Sequence, residues 1–216
     1  MKKLVIFDLD GTLLNTIADL AHSTNYALNK LGYPTHEIEK YNFMVGNGID
    51  KLFERALPEG EKSKENVLRV SKEFVPYYDI HNADDSRPSP GIPELLSYLQ
   101  DAGIQITVAS NKYQAATQKL IDHYFPEIHF TAVFGQREGI KVKPDPTVVF
   151  DILEVAKVTK EEVLYVGDSG VDMQTAANAG VTVCGVTWGF RPRAELEEFS
   201  PQYIVDTAEE IKRLIL

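Results

Sequence analysis

Two aspartates follow directly after an apolar run near the start of the chain. The stretch KLVIFDLDGTLLNT, residues 3–16, places Asp8 and Asp10 at the end of a predicted buried strand. On an extended backbone, side chains two residues apart lean to the same side, so both carboxylates can face one point. Because an ionised carboxylate is costly to remove from water, such a pair needs a positive partner. The spacing therefore predicts a cation site at this strand end.

Three further stretches place polar groups after apolar runs. They are ASN with Ser110 and Asn111, KVKPDP with Lys143, and GDSGVD with Asp168 and Asp172. A hydroxyl and free N–H groups at the start of a helix can hold an anion. A simpler interpretation remains open for Ser110 and Asn111, because both residue types also cap helices.

The charges expected at these strand ends balance once a divalent cation is included. Asp8, Asp10 and Asp168 bring three negative charges, and one Mg²⁺ together with Lys143 brings three positive charges. Mg²⁺ is a hard cation that prefers oxygen ligands, and its charge favours the ionised form of neighbouring carboxyls. The residues therefore predict a magnesium site that also accepts an anion.

Apolar, β-branched runs alternate with segments of helical spacing along most of the chain. Strands are predicted at 3–7, 104–109, 132–134, 163–167, 181–186 and 203–205, and helices at 92–102, 113–124, 147–157, 171–179 and 207–215. This alternation is typical of a parallel, doubly wound α/β sheet. In such sheets the ligand lies beyond the carboxyl ends of the strands, where the polar stretches are predicted.

The region from residue 15 to about 87 interrupts the alternation. It contains no convincing strand, and apolar residues at 3.6-residue spacing predict three helices, beginning near residues 17, 49 and 63. The stretch NADDSRPSPG is typical of a linker that returns the chain to the core. We therefore predict a Rossmann-like core of residues 1–14 and 88–216 with an inserted α-helical cap, residues 15–87, over the strand ends.

The composition narrows the class of partner. The chain has 216 residues, 44% of them hydrophobic, and 32 acidic against 22 basic residues give a net charge of −10. This charge argues against nucleic acid or an anionic membrane as the main partner. The single Cys184 leaves no intramolecular disulfide and fits a reducing compartment. We expect a cytoplasmic protein, monomer or homodimer, that acts on a small molecule.

The stretches DLDGTL, ASN, KPDP and GDSGVD, in this order, resemble the four motifs of the haloacid dehalogenase superfamily. The inserted helices resemble its α-helical cap, and MVGNGIDKLFERAL, residues 44–57, resembles the cap of bacterial phosphoglycolate phosphatases. The resemblance covers essentially the whole chain. It implies magnesium-dependent hydrolysis of a small phosphate monoester through an aspartyl-phosphate intermediate.

The resemblance also implies roles for the aspartates. Asp8 would be the nucleophile, and Asp10 would be general acid to the leaving oxygen and then general base for the attacking water. Mg²⁺ would be held by the Asp8 carboxylate, the Asp10 backbone carbonyl and the Asp168 carboxylate.

The remaining motif residues would bind the phosphoryl group or support those that do. Ser110 and the catalytic Lys143 would bind phosphoryl oxygens, with Asn111 close by. Asp172 would orient that lysine or a metal-bound water, and Thr12 would contact the second aspartate or the phosphate.

The segment after VGNG is expected to bind the leaving group of the substrate. A leaving group with a carboxylate needs a cation or N–H donors, and the start of the predicted helix offers backbone amides. Lys51 and Arg55 lie four residues apart on that helix and are the candidate cations, although both could belong to a solvated face.

Several alternatives stay open. Haloacid dehalogenases and phosphonate hydrolases share the fold, but Asp10 favours phosphate esters. A mutase such as β-phosphoglucomutase keeps both aspartates and a helical cap, and it would return the phosphoryl group to a substrate hydroxyl. Among non-enzymes, a phospho-receiver domain also accepts phosphate on an aspartate beside Mg²⁺, but it needs no cap. A phosphate-binding module without catalysis is the last alternative.

Overall fold

The computed structural model describes residues 1–215. The strands are β1 (Leu4–Phe7), β2 (Leu14–Asn15), β3 (Arg87–Pro88), β4 (Gln105–Tyr113), β5 (Ala132–Gln136), β6 (Val163–Gly167), β7 (Thr182–Val186) and β8 (Tyr203–Val205). The helices are α1 (Ile17–Lys30), α2 (Ile49–Ala56), α3 (Lys64–His81), α4 (Ile92–Asp101), α5 (Gln114–Tyr124), α6 (Thr147–Ala156), α7 (Gly170–Ala179), α8 (Arg193–Glu198) and α9 (Ala208–Ile215).

The main sheet has the strand order β5-β4-β1-β6-β7-β8, and neighbouring strands pair in parallel. β1 lies between β4 and β6, so the chain runs to one side of β1 and then returns to the other. At such a reversal a crevice lies beyond the carboxyl ends of the adjacent strands, here β4, β1 and β6. A ligand is expected in this crevice. The prediction of a doubly wound α/β core is confirmed.

Helices cover both faces of this sheet because its central strand is apolar on both sides. Val5 and Phe7 pack in one cluster with residues of α4, α5 and α9. Leu4 and Ile6 pack in a second cluster with residues of α6 and α7. All four side chains of β1 are fully buried, as a continuous apolar run predicts for a strand covered on both faces.

The helices α1, α2 and α3 form a third hydrophobic cluster of their own. Phe53 of α2 and Phe74 of α3 meet edge to face, with ring centres 4.9 Å apart. The buried stripe of α3 includes Phe74 and Tyr78, which lie one turn apart, whereas Tyr77 lies beside the stripe and stacks on Tyr26. The three predicted helices are confirmed, and the residue limits of the cap, 15–87, stay a prediction.

The chain leaves the core for these helices and later returns to it through two short strands, and these two strands pair with each other. β2 and β3 form a short antiparallel ribbon in which Leu14 faces Pro88 and Asn15 faces Arg87. The expectation of no strand between residues 15 and 87 is therefore wrong at both ends, because pairing of distant segments leaves no local pattern. Across residues 1–215, no helix is both long and apolar enough to cross a membrane.

Candidate active site

The first aspartate lies at the carboxyl end of β1, under the cap. Asp8 is 8% exposed, and its Oδ1 accepts a hydrogen bond from the Leu9 amide at 2.7 Å. The chain then turns at Gly11, which has φ +85°, and a Cβ there would lie 2.4 Å from Asp168 Oδ2. Glycine at this position therefore allows the end of β1 to approach the residue that follows β6.

Lys143 lies between two carboxylates. Its Nζ is 3.0 Å from Asp8 Oδ1 and 2.7 Å from Asp172 Oδ1, and the lysine is 3% exposed. The Lys143 amide donates to Asn111 Oδ1, and Asn111 Nδ2 donates to the Lys143 carbonyl. Asn111 therefore fixes the lysine-bearing loop at the end of the sheet.

The interpretation of Ser110 and Asn111 as helix caps is wrong. β4 continues through both residues to Tyr113, which is itself the N-cap position of α5. Ser110 Oγ accepts from the Lys112 amide at 3.2 Å, within the strand end. The apolar run stops before the strand does, because the last strand residues face the polar site.

Three carboxylates form a buried cluster. Oxygen atoms of Asp8, Asp168 and Asp172 all lie within 4.8 Å of one another. Asp168 Oδ1 accepts from Thr12 Oγ1 at 3.2 Å, and its Oδ2 accepts from the Phe190 amide at 2.7 Å. These two donors fix Asp168 while leaving its carboxylate beside Asp8.

Asp172 is held more completely by the protein. Its Oδ1 accepts from Lys143 Nζ and from the Tyr165 hydroxyl, and its Oδ2 accepts from the amide and the hydroxyl of Ser169. The bond from the Ser169 amide is one half of a capping box at the start of α7, and in the other half the Ser169 side chain accepts from the Asp172 amide. The predicted contact between Asp172 and Lys143 is present, and we expect Asp172 to orient the lysine.

Electrostatics in the cluster favour a divalent cation. Burial and the neighbouring Asp172 raise the pKa of Asp8, and they raise the pKa of Asp168 to about 7. Burial lowers the pKa of Lys143, but the attraction of Asp172 and Asp8 outweighs it and the net direction is upward. The buried acids therefore exceed what the lysine neutralises, and their oxygen atoms are the ligands that a hard cation prefers.

A second buried lysine, missed in the sequence, completes the charge balance. Lys112 Nζ lies 3.2 Å from Asp10 Oδ1 and 2.7 Å from the hydroxyl of Tyr78 on α3. Thr16 Oγ1 also donates to Asp10 Oδ1, at 2.6 Å. Four buried or part-buried carboxylates therefore face two lysines, and a divalent cation would bring the sum to zero. The signal in the sequence that could have identified Lys112 is its position directly after the motif ASN.

Thr12 contacts a different aspartate from the one expected. Its hydroxyl donates a hydrogen bond to Asp168, as described above. Asp10 accepts a hydrogen bond from the hydroxyl of Thr16 instead. The Thr12 carbonyl accepts from Trp188 Nε1 at 3.1 Å. Because the chain turns sharply after Asp10, the side chain of Thr12 points to the end of β6.

A cavity of about 40 Å³ lies between the strand ends and the cap. Asp8, Asp10 and Ser110 line it on the core side, and its cap side is mainly apolar, with Val45, Ile49 and Leu52 among the lining residues. Asn111 Nδ2 donates to the carbonyl of Gly46 at 3.0 Å, so the cap loop rests on the core.

Neither cap cation proposed from the sequence lines this cavity. Lys51 Nζ forms an ion pair with Glu54 at 2.6 Å, and its side chain is 54% exposed. Arg55 donates to the Met44 carbonyl and to Asn47 Oδ1, both at 2.8 Å. The expectation that these side chains face the site is wrong here, because Leu52 occupies the side of α2 that does.

Arg191, in the loop after β7, is a cation that does line the cavity next to the cap. Its Nη2 donates to the Val45 carbonyl at 2.9 Å. The sequence offered only a weak signal, an arginine beside Pro192 in the stretch TWGFRPR.

Comparisons with known proteins agree with this geometry. The family model described as haloacid dehalogenase-like hydrolase matches residues 5–186. A phosphoglycolate phosphatase of Mesorhizobium japonicum is 32% identical over 99% of this chain and 97% of its own length. One of Vibrio parahaemolyticus is 30% identical, over 99% and 96%.

Solved structures show the same fold. A crystal structure from Lactobacillus delbrueckii subsp. bulgaricus, 33% identical, superposes with a TM-score of 0.93 over 100% of this chain and 99% of the other. A predicted phosphoglycolate phosphatase from Haemophilus somnus, 28% identical, has a TM-score of 0.92 over 100% and 98%.

Proposed function

The chain belongs to the haloacid dehalogenase-like hydrolase family and is a phosphatase, and we propose that its substrate is phosphoglycolate or a similarly small anionic phosphate ester. The observation that carries this proposal is the buried Asp8 carboxylate, 3.0 Å from Lys143 Nζ, at the floor of a small cavity under the cap. A nucleophile and a phosphate-binding cation are thus in contact at the carboxyl end of the sheet.

We assign the nucleophile to Asp8 and the general acid to Asp10. A carboxylate oxygen of Asp8 attacks phosphorus in line, the ester bond breaks, and the leaving oxygen takes a proton from Asp10. Asp10 then accepts a proton from a water that attacks the aspartyl phosphate, which releases inorganic phosphate and restores Asp8. Thr16 and Lys112, both bonded to Asp10 Oδ1, support the position of this carboxylate.

Lys143 and Ser110 are proposed to bind the phosphoryl oxygens. Both are buried, Ser110 near the end of β4 and Lys143 in the loop between β5 and α6, and a fixed cation stabilises charge most strongly where water is excluded. The bonds of Lys143 to Asp172 and Asn111 support a preorganised position, so little reorientation is needed during the reaction.

For the metal we propose Mg²⁺, held by the carboxylates of Asp8 and Asp168 and by the backbone carbonyl of Asp10. The buried oxygen donors and the excess of negative charge fit such an ion. When bound, it would reduce the repulsion between the nucleophile and an anionic phosphate. Thr12 and Phe190 keep Asp168 in place for this role.

The cavity and the charge of the chain support a small, diffusible substrate. The cavity of about 40 Å³ is small, so any ester requires some opening of the cap and a bulky leaving group requires more than a small one. The net charge of −10 disfavours nucleic acid and anionic membranes, and the lone buried Cys184 fits a reducing cytoplasm.

The test is release of inorganic phosphate from phosphoglycolate in the presence of Mg²⁺. We expect Asp8→Asn to lower kcat at least ~10³-fold, on the scale of removing a covalent nucleophile, with little change in folding. Asp122→Asn, at an exposed aspartate on α5, is the matched control. Chelation of divalent metal should abolish turnover, and Ca²⁺ should not replace Mg²⁺ because it prefers more and longer oxygen contacts.

Near wild-type turnover by Asp8→Asn would refute the assignment of the nucleophile. Conversion of glucose 1-phosphate to an isomer, without release of phosphate, would show a sugar phosphate mutase in place of the phosphatase.

A further inference from the structure

The loop after β7 is fixed between the carboxylate cluster and α8. The Phe190 amide donates to Asp168 Oδ2 at 2.7 Å. A Cβ at Gly189 would lie 2.2 Å from the Cβ of Asp168, so a larger residue could not approach this closely. Pro192 restricts the backbone on the other side. Arg191 is therefore held at a defined place beside the proposed metal ligand Asp168.

The guanidinium of Arg191 spans the gap to the cap. Nη2 bonds to the Val45 carbonyl at 2.9 Å, and the group lies 5.2 Å from the centre of the Phe43 ring. Its side chain is 9% exposed. The neighbouring carboxylate, Glu195, lies 3.6 Å from Nε, which is beyond hydrogen-bond range. Within residues 1–215, this guanidinium thus has no carboxylate hydrogen-bonded to it.

A buried guanidinium whose carboxylate neighbour, Glu195, is paired at 3.6 Å without a hydrogen bond keeps N–H donors for an anionic ligand. Arginine stays charged in proteins and carries five N–H donors in a planar fork. The Val45 carbonyl engages Nη2, and the fork geometry suits a bidentate carboxylate. The other cation lining the cavity, Lys112, already contacts Asp10 at 3.2 Å. Arg191 is therefore the lining cation with charge available to a ligand.

We infer that Arg191 binds the second anionic group of the substrate, the carboxylate in phosphoglycolate, an inference that rests on the proposed function. The phosphoryl group lies at Asp8, and the carboxylate end points away from the sheet, toward Arg191 and the start of α2. The N-cap of α2 is Gly48, which lines the cavity and has no side chain to bond the first helical amides. Those amides add donors beside the guanidinium.

Because Arg191 also bonds to Val45, it links anion recognition to the cap position seen in this structure. A substrate that carries the carboxylate binds to Arg191, whose side chain already contacts the cap. A neutral ester of the same size gains no binding energy from this arginine. Arg191 is thereby a specificity residue and does not touch the reacting phosphorus.

The experiment compares kcat/KM for phosphoglycolate and for 2-hydroxyethyl phosphate, which replaces the carboxylate with a neutral group. Arg191→Gln should lower kcat/KM for phosphoglycolate about 10- to 100-fold, mainly through KM, as expected for a lost charge-assisted bond. For 2-hydroxyethyl phosphate the change should stay within about threefold. Arg191→Lys should give an intermediate loss, because it keeps the charge but not the fork.

The matched control is Arg193→Gln, two residues further along the chain. Arg193 is 44% exposed and pairs with Asp206 at 2.8 Å, away from the cavity. This variant should treat both esters as the wild type does. Retained turnover of 2-hydroxyethyl phosphate by Arg191→Gln shows that the variant is folded.

Three results would overturn the inference. Equal losses for both esters in Arg191→Gln would place the side chain in cap closure or folding, with the phosphatase function intact. An unchanged preference for phosphoglycolate in that variant would show that another group reads the anion. A wild-type enzyme that hydrolyses other esters but not phosphoglycolate would refute the proposed substrate, and the inference with it.

Discussion

Replacing Asp172 with alanine tests the buried ion pair that fixes Lys143. The carboxylate is fully buried and accepts four hydrogen bonds, from Lys143, Tyr165 and twice from Ser169. Alanine removes all four at once. It leaves Lys143 with Asp8 as its remaining carboxylate and removes the Asp172 half of the capping box of α7.

The expected loss of stability is about 3–5 kcal/mol, the range for removing one partner of a buried ion pair. A protein of ordinary stability has about 5–15 kcal/mol in total, so the loss is a large fraction. At roughly 2–4 °C per kcal/mol for a chain of this size, Tm should fall by about 6–20 °C.

The assay is urea unfolding in the absence of divalent metal, followed by circular dichroism. Asp145→Ala is the matched control: it too accepts bonds near a helix start, from the amide and hydroxyl of Thr147, but the lysine beside it, Lys141, has a side chain that is 82% exposed. Its loss should be about 1 kcal/mol, as for a helix cap. In the double variant Asp172→Ala/Lys143→Met, the loss should be smaller than the sum of the single losses, because each single variant already removes the contact between these two side chains.

A loss of stability below about 1 kcal/mol for Asp172→Ala would contradict this reasoning, since it would mean that the ion pair contributes no more than an ordinary helix cap. Additive losses in the double variant would show that Asp172 and Lys143 stabilise the fold independently.

Three other perturbations address the metal site, the second lysine and the thiol. Gly189→Ala should weaken Mg²⁺ binding in calorimetric titrations, because the new Cβ would displace Asp168, at an overpacking cost of about 1–3 kcal/mol. Lys112→Met should lower kcat about 10- to 100-fold in steady-state assays, because Asp10 loses a contact that positions it. Burial raises the pKa of Cys184 to about 12, so at pH 8 an aromatic disulfide reagent should modify it only after unfolding.

Each of these predictions has a control or a contradicting result. Gly139→Ala, where nothing lies within 4 Å of the new Cβ, should keep wild-type magnesium affinity. Lys141→Met, at a lysine whose side chain is 82% exposed, should keep wild-type kcat. Rapid modification of Cys184 in the folded protein at pH 8 would show that the thiol is accessible.

The sequence by itself determined the order of the six strands of the main sheet along the chain, of every helix except α8, and the motif residues after the strands. Apolar runs and helical spacing are local signals, and parallel strands bring their carboxyl ends to one edge wherever such runs alternate with helices. Asp8, Lys143 and Asp168 could therefore be placed together from their positions in the chain alone. Their contacts in the structure follow from this topology.

Only the tertiary structure decided which side chains meet across the cavity. Lys112 faces the site because β4 continues past its apolar run, and Arg191 faces it because a distant loop is bonded to Asp168. Lys51 and Arg55 lie outside because the apolar side of α2 turns toward the core. Contacts between elements far apart in the chain depend on how the cap packs on the sheet, and no local periodicity encodes that orientation.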